Sequence, residues 1–269
     1  MSAKDEFYTH GHDPVVVGSH AQRSAVTSAA FLLPHLLDGT RLLDFGCGPG
    51  SITVDLGHHV APTGSVVGLD SNAEVVEIAA REAAGPGVSY LRSSVYDIPM
   101  ADEAFDVAYG HQILQHLGDP VAALGEIYRV LDRGGIVGVR DADFGSMTHH
   151  PHYPEIDAWL EVYHGVARAN GGEPDAGRRL PEWVRQAGFI QPTITTSTWT
   201  YARPDERLAW AELWAKRISL PRFADKAEEL GLADRATIGA LADAWISWGH
   251  EPDGWFSFIH GEVIAYKPG

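Results

Sequence analysis

One cysteine, Cys47, occurs in 269 residues. A single thiol makes no internal disulfide, and a thiolate zinc site needs several. No run of about 18 apolar residues is present, so no membrane-spanning helix is expected. Basic residues are scarce: 20 Lys and Arg stand against 36 Asp and Glu, a net charge of −16. A surface that tracks phosphates needs clustered Lys and Arg. None is visible, so nucleic acid is not an expected partner. The opening Met-Ser-Ala-Lys-Asp-Glu is polar and acidic, unlike a secretory signal, and the expectation is a cytoplasmic protein. Tryptophan is missing from the first 150 residues; all eight lie at 159, 183, 199, 210, 214, 245, 248 and 255.

What is there is ordinary globular material, 45% hydrophobic and 21% charged. Residues 19–37 look helical. Arg41–Phe45 reads as a short strand that runs into Gly46-Cys47-Gly48-Pro49-Gly50, with a helix from about Ser51. Strands are expected at 65–69, 88–91, 105–109 and 136–140, with a helix from 72 to 84. Asp119-Pro120 signals another helix start, an N-cap followed by proline at the first helical position. Strand alternating with helix predicts a parallel sheet covered on both faces. After residue 145 the pattern turns helical and aromatic. Helices are expected at 151–170, 180–187 and, in two or three pieces, 205–249. Strands are expected at 193–201 and 255–266.

The chemistry concentrates at the first strand-to-helix turn. Glycines there let backbone approach a ligand closely. Asp70, twenty residues after Gly50 and at the end of the second strand, is placed to accept the hydroxyls of a ribose. The loop reads Gly-x-Gly-x-Gly, whereas a dinucleotide fingerprint reads Gly-x-Gly-x-x-Gly. This spacing argues against a nicotinamide oxidoreductase. Asp44 beside the loop suits an ammonium group better than a pyrophosphate.

The stretch Leu42–Gly50 resembles motif I of the class I S-adenosylmethionine-dependent methyltransferases. Leu91–Leu117 and Glu126–Gly135 are similar to that superfamily's middle motifs, in the style of its ubiquinone/menaquinone-biosynthesis-like group of small-molecule enzymes. The resemblance covers about residues 19–141. It implies a Rossmann-like, mostly parallel seven-stranded sheet with helices on both faces and a helical cap. The whole chain, 1–269, would be a single domain: a cofactor-binding core over 1–144, cap insertions at 145–175 and 202–254, and a final strand at 255–267. It implies S-adenosyl-L-methionine as cofactor and S-adenosyl-L-homocysteine as product. The cofactor residues it implies are Asp44, Gly46, Cys47, Gly48, Gly50, Asp70, Ser71, Ser94, Val95, His111 and Gln112. Tyr8 and Arg23, before the first strand, would meet the cofactor carboxylate. Ser94 stands where the family often has an acid, so the Val95 backbone is expected to help hold the adenine.

Histidine is the side chain best poised for proton transfer near neutral pH. His111 ends the fourth strand, and His149 and His150 fall in the expected loop after the fifth. These three are the candidate catalytic residues; His116 reads as structural. Imidazole and carboxylate together can hold a divalent ion, but magnesium prefers oxygen ligands, and no metal is expected. The partner expected is a small, apolar or aromatic acceptor, closed in by the tryptophan-rich cap, without nucleic acid or membrane. The sequence does not set an oligomeric state. The alternative is a protein of this fold that binds the cofactor without methylating, as a rearrangement catalyst or a sensor.

Overall fold

The computed structural model describes residues 23–269. Tyr8 lies outside the described residues. The elements in chain order are α1 (Ala25–Ser28), β1 (Arg41–Phe45), α2 (Ser51–Val60), β2 (Ser65–Asp70), α3 (Ala73–Glu82), β3 (Val88–Arg92) and β4 (Phe105–His111). A 3-10 turn (Leu114–His116), α4 (Pro120–Val130), β5 (Leu131–His150), α5 (Pro154–Ala169), α6 (Ala176–Gln186) and β6 (Ile190–Tyr201) follow. The chain then forms α7 (Pro204–Ser219), α8 (Pro221–Glu229), α9 (Arg235–Gly249) and β7 (Trp255–Tyr266).

The strands form one sheet in the order β3-β2-β1-β4-β5-β7-β6. The first five pair in parallel, and β7 runs antiparallel to both β5 and β6. Alternation along β1 sets the two faces. Leu43 and Phe45 pack with Ala108, Leu124 and Val184 under α4 and α6. Leu42 packs with Val66, Tyr109 and Leu56 under α1 and α2. The α4 start follows its signals: Asp119 Oδ1 accepts the Ala122 N–H at 2.9 Å, and Pro120 takes the first turn.

Two expectations needed correction. The helix foreseen over 19–37 is, within the described residues, only Ala25–Ser28 followed by turns and a 3-10 turn at Leu33–His35. It ends at Ala29, which leaves the helical backbone, and the extended Leu36 ends the short 3-10 turn that follows. The fifth strand, expected to end at Arg140, continues to His150. The reason is a partner the local sequence does not reveal: β7 pairs along it, with Thr148, His149 and His150 opposite Ser257, Phe256 and Trp255 beyond an irregular stretch.

A third core is rich in aromatics. Trp159 and Tyr163 of α5, Trp210 and Trp214 of α7, Phe223 of α8, and Trp245 and Trp248 of α9 close over Phe144, Phe256 and Phe258. Trp159 meets Trp214 and Trp245 edge-on at 4.5 and 4.9 Å, a geometry that aligns ring edges with ring faces. The late tryptophans are therefore mainly the core of the helical half, built onto the prolonged β5–β7 ladder.

Candidate active site

The glycine loop joins β1 to α2, and each glycine has its own reason. Gly48 has φ +54, and nothing stands within 4 Å of where a Cβ would be. Open space at a left-handed position is a cradle for a ligand that touches backbone. A Cβ on Gly46 would strike Ile113 at 2.6 Å, and one on Gly50 would run into the Tyr90 hydroxyl and Ala83. Those two glycines serve the packing of the loop on its neighbours. Gly48→Ala is expected to fold with only about 1 kcal/mol lost to the left-handed backbone, while losing about tenfold in S-adenosylhomocysteine affinity. Gly50→Ala should lose about 2–4 kcal/mol of stability from overpacking and strain together. Urea unfolding and calorimetric titration of the two variants separate these roles.

The acids around the loop are ordered. Asp70 Oδ2 accepts the Gly48 N–H at 3.1 Å and Oδ1 accepts the Asn72 N–H at 3.0 Å. Each oxygen keeps a further lone pair, enough for the two hydroxyls of a ribose. Asp44 is buried, accepts the Thr53 hydroxyl at 2.6 Å, and is pushed up to about 7 by that burial. A cationic ammonium is the partner that would return it to the carboxylate form. Cys47 turns its thiol away from water, and burial raises it well above the usual thiol range. Its backbone, rather than its sulfur, faces the loop's task. Ser71 is exposed just beyond Asp70. Ser94 Oγ accepts the Tyr96 N–H at 3.2 Å and so shapes the turn that buries Val95. An open cradle, two acids and a small polar turn fit S-adenosylmethionine, whose ribose, ammonium and adenine each find a matching group.

Beyond the loop, sheet register collects a second group. His111 is paired with Arg140, Arg140 with Glu262, and Ala142 with His260. On the other side Thr195 and Ser197 face Glu262 and His260, and Trp199 faces Phe258. A period of two sends these side chains to one face at the carboxyl ends of the parallel strands. Arg140 and Glu262 form a buried ion pair at 3.2 Å. Ser197 donates to Glu262 at 2.5 Å and Thr195 at 2.9 Å. Trp199 packs on His111 at 5.8 Å and on His260 at 4.5 Å. Two guanidiniums lie over it, Arg23 at 5.2 Å and Arg140 at 5.0 Å. Gln112, at φ +52 after β4, reaches His260 Nε2 at 2.8 Å.

His111, Gln112 and Arg23 therefore converge. His149 and His150 do not join them. His149 sits opposite Phe256, six β7 residues from Glu262, which is about 20 Å along an extended strand. His149 Nε2 accepts the Tyr153 N–H at 3.1 Å, and burial holds the ring below the usual imidazole range. His150 is exposed, and its carbonyl accepts the Trp248 indole N–H at 3.1 Å. His149, His152 and Asp157 bring one ligand atom each within 4.8 Å of one another. A metal at His149 Nε2 would have to displace the Tyr153 contact. His116 is pushed down to about 3 by burial, then by Arg217 and Arg23. His260, Trp199, Arg140 and Glu262 were missed as a site by sequence reasoning. The signal for two of them was available: a base at the end of the expected strand 136–140 and the one acid within 255–266, each among apolar residues, must find each other or water.

The family model for a methyltransferase domain matches residues 43–139. An uncharacterized methyltransferase of Schizosaccharomyces pombe is 32% identical over 97% of this chain and 96% of its own length. A demethylmenaquinone methyltransferase of Lactococcus lactis is 34% identical over 57% of this chain and 67% of its own. Among solved structures, the phosphoethanolamine N-methyltransferase 2 of Haemonchus contortus, in complex with S-adenosylhomocysteine, aligns with a TM-score of 0.53 at 18% identity. The alignment covers 87% of this chain and half of that longer one. The shared fold, the glycine loop with its two acids and a relative alike over nearly the whole length lead to one conclusion: the chain belongs to the class I S-adenosylmethionine-dependent methyltransferases.

Proposed function

We propose that the chain methylates a small aromatic molecule held between the carboxyl ends of the strands and the helices α5, α7, α8 and α9. Trp199 carries the reading. It is partly exposed, and it stands between His111 of the cofactor side and Phe258 of the aromatic core. Tyr201, stacked on Trp210 at 4.2 Å, extends this wall toward the helices. An aromatic surface with few polar groups is what an organic acceptor needs for burial and orientation. The four helices would then act as the cap that excludes water. The Lactococcus relative's name, a demethylmenaquinone methyltransferase, points to the same class of flat, apolar acceptor.

The cofactor supplies an electrophilic methyl group, and this chain's residues hold the acceptor in line with it. Asp44, Asp70 and the Gly48 backbone fix the cofactor; Trp199 and Tyr201 orient the acceptor ring. Orientation alone supplies a large share of such an acceleration. No helix of the described residues is long and apolar enough to cross a membrane.

A screen of phenols and quinols for production of S-adenosylhomocysteine tests the reading. With an active acceptor in hand, Trp199→Ala should raise its KM by about tenfold through the lost apolar contact, while S-adenosylhomocysteine affinity stays within about twofold. An unchanged KM would place the acceptor elsewhere. Failure of every aromatic acceptor in the screen would remove the proposed class.

A further inference from the structure

Two buried imidazoles, His111 and His260, stand in the wall described above, and their hydrogen-bond partners fix where each carries its proton. Arg140 Nη1 lies 3.4 Å from His111 Nδ1. A guanidinium only donates, so Nδ1 must accept, and the ring's proton is on Nε2. The Gln112 amide N–H donates to His260 Nε2 at 2.8 Å, so the proton of His260 is on Nδ1. His260 Nδ1 has no partner among the described residues, and the ring is 0% exposed. A buried N–H without a partner is costly and marks a place where a ligand's acceptor atom belongs. The rings are 6.3 Å apart, with Trp199 against both.

From this arrangement we infer that the acceptor binds as an oxyanion, a phenolate or enolate, held by the Nδ1–H of His260 beside His111, and that neither histidine is a base. The inference rests on the aromatic-acceptor reading and goes further by giving the acceptor's charge.

The surroundings agree. Among the described residues, Arg140 and Glu262 from β5 and β7, Asp141 next to Arg140, and Arg23 from the start of the described chain are ionisable groups at this wall. Arg217 and Glu206 of α7 lie near its Tyr201 end. Burial, then Arg140 and Arg23, holds His260 well below the usual imidazole range, so it stays neutral and keeps a single proton. A fixed buried donor stabilises negative oxygen in place before reaction. The step balances without a base. The phenolate oxygen's electron pair forms the new bond to the methyl carbon, and the pair of the broken S–CH3 bond returns to sulfur. Cation and anion become two neutral products. The acceptor's proton has already gone to water.

The test uses the full chain saturated with S-adenosylhomocysteine and two probes of one shape, 4-nitrophenol and 4-nitroanisole. The visible band of 4-nitrophenol reports whether it is bound ionised. The expected result is binding as the phenolate at pH 6, about tenfold or more tighter than 4-nitroanisole, as suits a hydrogen bond to a charged group. His260→Phe should erase that preference and leave 4-nitroanisole affinity within about twofold. Nitrogen-15 spectra of the wild-type imidazoles give a second readout that needs no variant: the proton on Nε2 of His111 and on Nδ1 of His260. Either opposite tautomer overturns the inference, as does a neutral bound nitrophenol. Binding of 4-nitroanisole alone would leave the aromatic reading standing and end this one. If neither probe binds, both fall.

Discussion

Glu262→Gln should cost about 3–5 kcal/mol of folding stability, the usual loss when one member of a buried ion pair is removed. Arg140 is 1% exposed and Glu262 6%, so water cannot take over the stranded guanidinium. Ser197 and Thr195 would lose their anionic acceptor in the same change. Urea unfolding measures it. The double variant Arg140→Met/Glu262→Leu should regain most of the loss, because well-packed apolar residues often replace a buried pair at little cost. If it does, the pair is kept for function, since stability does not require it. The variant would also free His111 Nδ1 from Arg140, and its nitrogen-15 signature should then change. A Glu262→Gln protein as stable as wild type would mean that Arg140 reaches water or another anion.

The second large effect is a fall in stability of the cofactor-free chain as pH rises. Asp141 is fully buried, accepts the Gln115 N–H at 3.2 Å, and is pushed up to about 8 by that burial. Asp44 is pushed up to about 7 for the same reason. A carboxyl whose value is raised by folding takes up a proton when the chain folds. Its contribution is therefore most favourable below the unfolded value, near 4, and declines as pH rises to the folded value. The window runs from about pH 4 to pH 8, and the stability of the cofactor-free chain should fall across it. Asp141→Asn keeps the acceptor oxygen for Gln115 and cannot ionise. Its advantage over wild type in unfolding midpoint should grow from pH 5 to pH 8. S-adenosylmethionine should flatten the Asp44 part of the slope by placing an ammonium beside it. A wild-type stability that rises from pH 5 to pH 8 would contradict both assignments.

The cofactor half was legible because its signals are local. A glycine with φ +54 at the turn, an acid at the end of the next strand, and Asp119-Pro120 before a helix each act within a few residues of themselves. Motif, element and position therefore agreed along Arg41–Val130. The acceptor half was not legible in the same way. His149 and His150 read as a loop because a polar, histidine-rich stretch has no strand periodicity of its own; β7 makes it a strand by pairing with it. His260 read as one residue of a terminal strand, and only the antiparallel return of β7 beside β5 sets it near Arg140 and His111.

By itself the sequence determined the parallel core, since its strands and turns depend on residues close in the chain, and the resemblance carried by Leu42–Gly50 pointed to the cofactor. The tertiary structure alone decided that His260 stands beside Gln112 at the end of β4 and that Arg140 is balanced by Glu262. Those facts arise from contacts across more than 100 residues of chain. Register between strands fixes such contacts, and register depends on burial over the whole sheet.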